Sequence, residues 1–92
     1  MSSKVNIIDG NLYIFVCPHN CGQSYGVLKN ELNCRIFRCG FYKKTGSQIE
    51  QHLPKIMCDK LFYNKLITGC GRPFKIIDVQ NNQKLVVVCE YI

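Results

Sequence analysis

The sequence lacks any hydrophobic run long enough to cross a membrane. A transmembrane helix needs roughly 18 consecutive apolar residues, and the longest apolar runs here, such as residues 12–16, have the length of a β-strand. The amino-terminal residues also lack the hydrophobic region of a signal peptide. These two absences argue against a membrane protein and against secretion, and they predict a reducing compartment.

The signatures of common active sites are missing as well. The sequence has no glycine-rich phosphate loop, no paired acids that suggest hydrolysis, and no Cys-x-x-Cys motif of the thioredoxin type. Its only histidines are His19 and His52, so a nucleophilic cysteine would have few candidates for a base. The sequence therefore predicts a protein that is not an enzyme.

Acidic residues are scarce. Six Asp and Glu stand against twelve Lys and Arg, which gives a net charge of +6. A surplus of positive charge indicates an acidic partner, nucleic acid above all, although a solvated basic surface has the same composition. A hydrophobic content of 47% excludes a disordered chain. At 92 residues, a single domain over residues 1–92 is expected, near the size at which a core alone gives marginal stability.

Cysteine, by contrast, is abundant. The chain has seven cysteines, and the odd number argues against a closed set of disulfides and for thiolate ligands and buried thiols. Cys17 and Cys21 are separated by three residues in a turn bracketed by Pro18 and Gly22. Apolar residues precede and follow this turn, and strand, cysteine turn, strand is the layout of a zinc knuckle, here predicted over residues 12–28.

A structural zinc site needs four soft donors, usually from two separate parts of the chain. Cys70 is the third candidate, because the glycines on either side let the backbone turn tightly and donate its amides to a thiolate. For the fourth donor, Cys58, Cys39 and His52 compete. Cys58 is preferred because its predicted helix leads directly into the Cys70 turn, although it could also be a core residue. The predicted Zn²⁺ ligands are thus Cys17, Cys21, Cys58 and Cys70, and the cysteines within apolar strand patterns, Cys34 and Cys89, are expected in the core.

The remaining pattern predicts an α+β fold. A strand is expected over residues 32–42, and residues 47–64 form a helical segment that contains a capping box at 47–50 and a helix over 54–63. Residues 66–91 give the second cysteine turn and a carboxy-terminal hairpin. The expected domain is small and zinc-ribbon-like, mostly antiparallel strands with one or two short helices.

Residues 35–44 form a basic and aromatic stretch. Four cations and three aromatic residues occur in these ten positions without an acid, a composition that suits phosphate contacts and base stacking. The alternative is that the aromatic residues are core and the cations are solvated. The predicted nucleic-acid contacts are Arg35, Arg38, Lys43, Lys44 and, beside the second cysteine turn, Arg72.

Residues 12–79 resemble a group of small zinc-ribbon-like proteins of giant DNA viruses, the mimivirus-like nucleocytoplasmic large DNA viruses. The resemblance is carried by residues 13–18, 32–38, 52–55, 58–61 and 69–74. In that group two residues usually separate the first cysteine pair, whereas Asn20 makes the spacing three here. Position 39 is usually histidine there, and Cys39 keeps the capacity to bind a metal. The resemblance implies a viral origin and action in the cytoplasmic viral factory of an infected cell or in the virion.

Two functions follow from these observations. The first is a zinc-stabilised module that binds nucleic acid through residues 35–44. The second is a protein-interaction or virion structural module with a structural zinc, for which a second copy of the chain is one candidate partner. Aromatic and basic side chains clustered on one face would favour the first, whereas scattered charges and a large apolar patch would favour the second.

Overall fold

The computed structural model of the chain describes residues 2–8, 10–31, 35–80 and 83–91. Seven strands, one α-helix and a short 3-10 helix follow one another in this part of the chain. They are β1 (Ser2–Lys4), β2 (Asn6–Ile8), β3 (Leu12–Val16), β4 (Ser24–Leu28), the 3-10 helix (Lys29–Glu31), β5 (Ile36–Arg38), α1 (Lys55–Tyr63), β6 (Pro73–Val79) and β7 (Gln83–Val88). Antiparallel strands with one short helix confirm the α+β expectation.

The strands form two antiparallel sheets. One has four strands in the order β1-β7-β6-β5, and the other has three in the order β2-β3-β4. The predicted knuckle hairpin is the β3–β4 pair, and the predicted carboxy-terminal hairpin is the β6–β7 pair. Strand β7, with its run of valines, lies inside its sheet, and β5 lies at an edge.

An aromatic cluster joins the two sheets. Phe15 and Tyr25 come from the three-stranded sheet, and Phe37 and Phe74 come from the four-stranded sheet. The centroids of these four rings lie 5.1–6.2 Å apart in every pairing, within the range of favourable aromatic contacts. Alternation along β3 places Tyr13, Phe15 and the following Cys17 on the buried face. The core therefore ends directly at the cysteine turn.

Helix α1 is held to the domain by little buried surface. It begins after Pro54, whose fixed φ suits a helix start, and Cys58 is its one buried residue. Phe62, one turn further along the helix, is 46% exposed. Helix α1 therefore carries apolar side chains that are exposed and do not attach it to the domain. Among the described residues, no helix is long and apolar enough to cross a membrane.

Two expected elements differ in the structure. Residues 47–50 do not start a helix, because Gln48 pairs with Phe41 in an isolated bridge and Glu50 accepts a hydrogen bond from the Tyr42 hydroxyl at 2.5 Å. The strand predicted over 32–42 is shorter, since β5 covers only Ile36–Arg38 and residues 32–34 lie outside the described ranges. The intervening turn at Gly46, with φ of 79°, folds this segment back on itself.

Candidate metal centre

Four cysteine sulfurs converge at one end of the aromatic core. The sulfurs of Cys17, Cys21, Cys39 and Cys70 all lie within 4.8 Å of one another. The Cys17–Cys70 and Cys21–Cys39 sulfur pairs are 3.9 and 3.4 Å apart, far beyond the roughly 2.05 Å of a disulfide bond. A tetrahedral zinc–thiolate centre with Zn–S bonds of about 2.3 Å would place its sulfurs about 3.8 Å apart. The arrangement fits a four-coordinate metal ion.

The β3–β4 turn supplies the first two sulfurs. The amide of Cys17 donates to the carbonyl of Gln23 at 2.8 Å and closes the turn. Asn20 and Gly22 take positive φ values of 61° and 86°, a conformation that asparagine and glycine adopt more readily than other residues. With these two conformations, the turn accommodates three residues between Cys17 and Cys21. The amide of His19 donates to the Cys17 sulfur at 3.4 Å, a contact that stabilises thiolate ligands.

The other two sulfurs come from the end of β5 and the turn before β6. Cys39 donates its amide to the carbonyl of Arg72 at 3.0 Å, and its carbonyl accepts from the amide of Gly71 at 2.7 Å. The same strand pairing that joins β5 to β6 therefore brings Cys39 beside Cys70.

Glycine is required where these two segments cross. A Cβ on Gly40 would lie 2.0 Å from the carbonyl oxygen of Thr68, and one on Gly69 would lie 3.0 Å from the Cys39 sulfur. Both residues also have positive φ. The two glycines allow the backbones to approach closely enough for the sulfurs to meet.

Tyr25 connects the core to the metal centre. Its buried hydroxyl accepts a hydrogen bond from the amide of Gly40, the peptide that follows Cys39, at 2.5 Å. Burial is the main reason that the pKa of Tyr25 is raised far above its usual range, followed by the charge of Cys39 and its hydrogen bond. The phenol therefore stays protonated and orients Cys39. The sequence prediction missed this residue, although its alternation with Val27 after the knuckle marks it as inward-facing.

The clustered thiols alter one another's acidity. Hydrogen bonds from Cys17 and then Cys39 hold the pKa of Cys70 well below its ordinary value. Hydrogen bonds with Cys17 and Cys70, together with burial, raise the pKa of Cys39. Without a cation, one thiolate is favoured at the expense of its neighbours, because several negative charges cannot share this small space. A divalent ion would compensate those charges and allow all four sulfurs to bind as thiolates.

The structure brings together three of the four predicted ligand residues, Cys17, Cys21 and Cys70, with Cys39 as the fourth in place of Cys58. The Cys58 thiol lies beneath α1 and donates to the carbonyl of Leu53 at 3.6 Å. Proximity in sequence to Cys70 suggested Cys58, but strand pairing decides which sulfur reaches the cluster. This corrects the preference for Cys58 in favour of the alternative, Cys39.

The other predicted donors lie elsewhere. His52 is exposed and outside the cluster, and the Nε2 of His19 donates to the carbonyl of Pro73 at 2.7 Å. Cys89 is half-buried rather than fully buried as expected, because it follows the end of β7. Cys34 lies outside the described residues.

The predicted basic and aromatic stretch does not form one surface. Arg38 is 2% exposed, donates its Nε to the carbonyl of Leu53 at 2.9 Å and places its guanidinium 5.0 Å from the centre of the Tyr91 ring. Phe37 lies in the core. These positions contradict the expectation that Arg38 contacts phosphate and that Phe37 stacks on a base.

The remaining members of that stretch are dispersed. Phe41 is half-buried against Tyr25, with ring centroids 5.1 Å apart. Arg35 pairs with Asp78 at 2.9 Å on the edge of the four-stranded sheet. The exposed cations of the predicted interface are Arg35, Lys43, Lys44 and Arg72.

No family model, curated protein or solved structure matches this chain.

Serine variants of the cysteines test the corrected ligand set. We expect native mass spectrometry of protein purified without added metal to find one metal ion per chain. Cys39→Ser should lose it, because an alcohol is a poor ligand, while Cys58→Ser should keep it as a matched buried-thiol control. A Cys39→Ser protein that retains the ion, or a Cys58→Ser protein that loses it, would contradict the assignment.

The Tyr25→Phe variant tests whether the Tyr25 hydroxyl supports the metal centre. The change leaves the Gly40 amide without its acceptor, which should lower the free energy of unfolding by about 1–3 kcal/mol in urea titrations. It should also speed removal of the metal by a chelator, because Cys39 loses its orienting partner. The exposed Tyr63→Phe is the control and should change stability by less than about 0.5 kcal/mol. Equal behaviour of the two variants would show that the Tyr25 hydroxyl has no supporting role.

Proposed function

We propose that this protein is a zinc-stabilised binding module without a catalytic role. The observation that carries the proposal is the closed set of four cysteine sulfurs. Thiolates are soft ligands that suit zinc, and four protein donors are typical of structural sites, whereas catalytic zinc keeps a position open for water or substrate. Zn²⁺ bound here would join the three-stranded sheet, through Cys17 and Cys21, to the four-stranded sheet, through Cys39 and Cys70.

We further propose that the module binds a protein. Of the predicted stretch, Phe37 lies in the core, Phe41 packs at its edge and Arg38 is buried. In contrast, a group of large apolar side chains is exposed on and after helix α1. A protein-interaction module, including a virion structural one, is supported by this exposed apolar surface. The viral origin and the viral-factory or virion location implied by the family resemblance stay predictions.

Nucleic acid is the second candidate partner. The observation that favours it is the net charge of +6 together with the exposed adjacent lysines Lys43 and Lys44. Such a surface would contact phosphates without reading sequence.

Removal of the metal tests the structural role. We expect a zinc chelator under reducing conditions to abolish the cooperative thermal transition measured by circular dichroism, because much of the folding free energy of small zinc domains comes from the metal. Restoring Zn²⁺ should restore the transition, while Mg²⁺, which prefers oxygen ligands, should not. A metal-free protein with an unchanged melting temperature would refute the proposal.

Salt titrations test the nucleic-acid candidate. If single-stranded DNA is bound, its affinity should fall steeply with salt, and Lys43→Gln should reduce the log–log slope by about 0.7 through loss of one phosphate contact. Lys4→Gln, an exposed lysine on β1, is the matched control and should leave the slope unchanged. A flat salt dependence in fluorescence anisotropy would remove nucleic acid as a partner.

A further inference from the structure

The end of helix α1 exposes large apolar side chains. Phe62, Tyr63 and Leu66 are 46%, 78% and 52% exposed. Only Cys58 of α1 is buried, so these side chains are not needed to attach the helix to the domain. Exposed apolar surface of this kind often marks an interaction site.

Two adjoining clefts give this region its shape. The larger, of about 530 Å³, is lined by Tyr42, Lys43, Lys44, Leu61, Lys65 and Leu66. The smaller, of about 340 Å³, is lined by Lys43, Phe62, Tyr63, Lys65, Ile67 and Gly69. Because Lys43 and Lys65 line both, the clefts form one continuous feature, called here the lysine-rimmed surface.

The walls of this surface are held in place by backbone hydrogen bonds. Lys43 donates its amide to the carbonyl of Leu66 at 3.0 Å, which ties the segment before the helix to the segment after it. Lys65 and Leu66 close the helix end by donating to the carbonyls of Phe62 and Leu61 at 3.1 and 3.0 Å. This is the hydrogen-bond pattern of a Schellman motif. The clefts therefore exist before any partner binds, which reduces the entropy cost of binding.

The charge around the clefts has one sign. Lys43, Lys44 and Lys65 line them, and none of the lining residues in the described part of the chain is acidic. The carboxylate next to the lining is Glu50, which accepts the hydrogen bond from Tyr42. A floor of leucine and aromatic side chains under a rim of lysines is complementary to a segment with apolar side chains between carboxylates.

We propose that the lysine-rimmed surface binds an acidic amphipathic segment of a partner protein. Large apolar side chains of that segment, such as leucine or phenylalanine, would enter the clefts while flanking Asp and Glu pair with the lysines. This inference rests on the proposed function and names the partner's chemistry. Leu61 and Leu66 line the larger cleft beside Tyr42, and this aliphatic surface packs against apolar side chains but supplies no ring on which a base could stack.

The residue at position 65 supports this assignment. Lys65 has a φ of 57°, in the left-handed region where a helix of this type usually ends with glycine. A lysine there costs conformational energy in the free protein, which binding through its ammonium group would offset. The same feature provides a variant, Lys65→Gly, that removes the charge and relieves the backbone.

The probe for this surface is a fluorescein-labelled peptide of about twelve residues with one Leu-Phe pair between runs of Asp and Glu. Anisotropy titrations with the zinc-loaded protein should show saturable binding. Lys43→Glu combined with Lys65→Glu should weaken it about tenfold or more by charge repulsion. Lys65→Gly should weaken it about two- to fivefold while keeping or raising the melting temperature. Leu66→Ser should weaken it as well, and Lys4→Gln should not.

Peptide controls separate charge from apolar contact. Replacing the acids by lysines, or the Leu-Phe pair by two serines, should abolish binding. The inference is overturned if the acidic peptide fails to bind, if Leu66→Ser leaves its affinity unchanged, or if oligo(dT) binds more tightly and displaces it. Concentration-dependent dimerisation that Leu66→Ser abolishes would also overturn it, since a second copy would then be the occupant.

The zinc content of every variant, measured by native mass spectrometry, distinguishes this failure from failure of the proposed function. If the protein holds one zinc and melts cooperatively but does not bind the peptide, only the partner assignment is overturned. If the protein folds without metal, the proposed function itself is overturned.

Discussion

The meeting of four sulfurs is the constraint on which the rest of this structure depends. Two of them belong to the turn of one sheet, and two lie beside the paired strands of the other. The Cys17 and Cys70 sulfurs, only 3.9 Å apart, belong to residues separated by 53 positions, so bringing them together closes a long loop at an entropic cost. An ion bound by all four would hold that loop closed and fix the two sheets against each other.

The aromatic core and the metal centre are parts of one arrangement. The four rings that join the sheets end at Tyr25, whose hydroxyl accepts a hydrogen bond from the amide of Gly40, the peptide that follows Cys39. The aromatic core and the turns that carry the cysteines together position the four sulfurs.

Local patterns in the sequence determined what could be predicted. The spacing of Cys17 and Cys21 between apolar runs identified the knuckle, and Pro54 identified the start of α1. The choice between Cys58 and Cys39 needed the β5–β6 register, which pairs Arg38 with Pro73 and carries Cys39 to the second turn. No local signal gives that register. Composition likewise marked residues 35–44 as basic and aromatic. In the structure, the side chains of this stretch are divided between core and surface, and Arg38 is buried.

The exposure of one ligand also has a kinetic consequence. Cys21 is exposed, whereas Cys17 and Cys39 are buried and Cys70 is half-buried. A chelator, or an acceptor protein that takes up metal, would therefore reach an ion bound at this site most directly at Cys21. If the Cys21 sulfur dissociated from a bound ion, a coordination position would open to solvent while three metal–sulfur bonds remained. The turn over residues 18–22 would then set the exchange rate of the metal, whereas the buried cysteines would set its affinity.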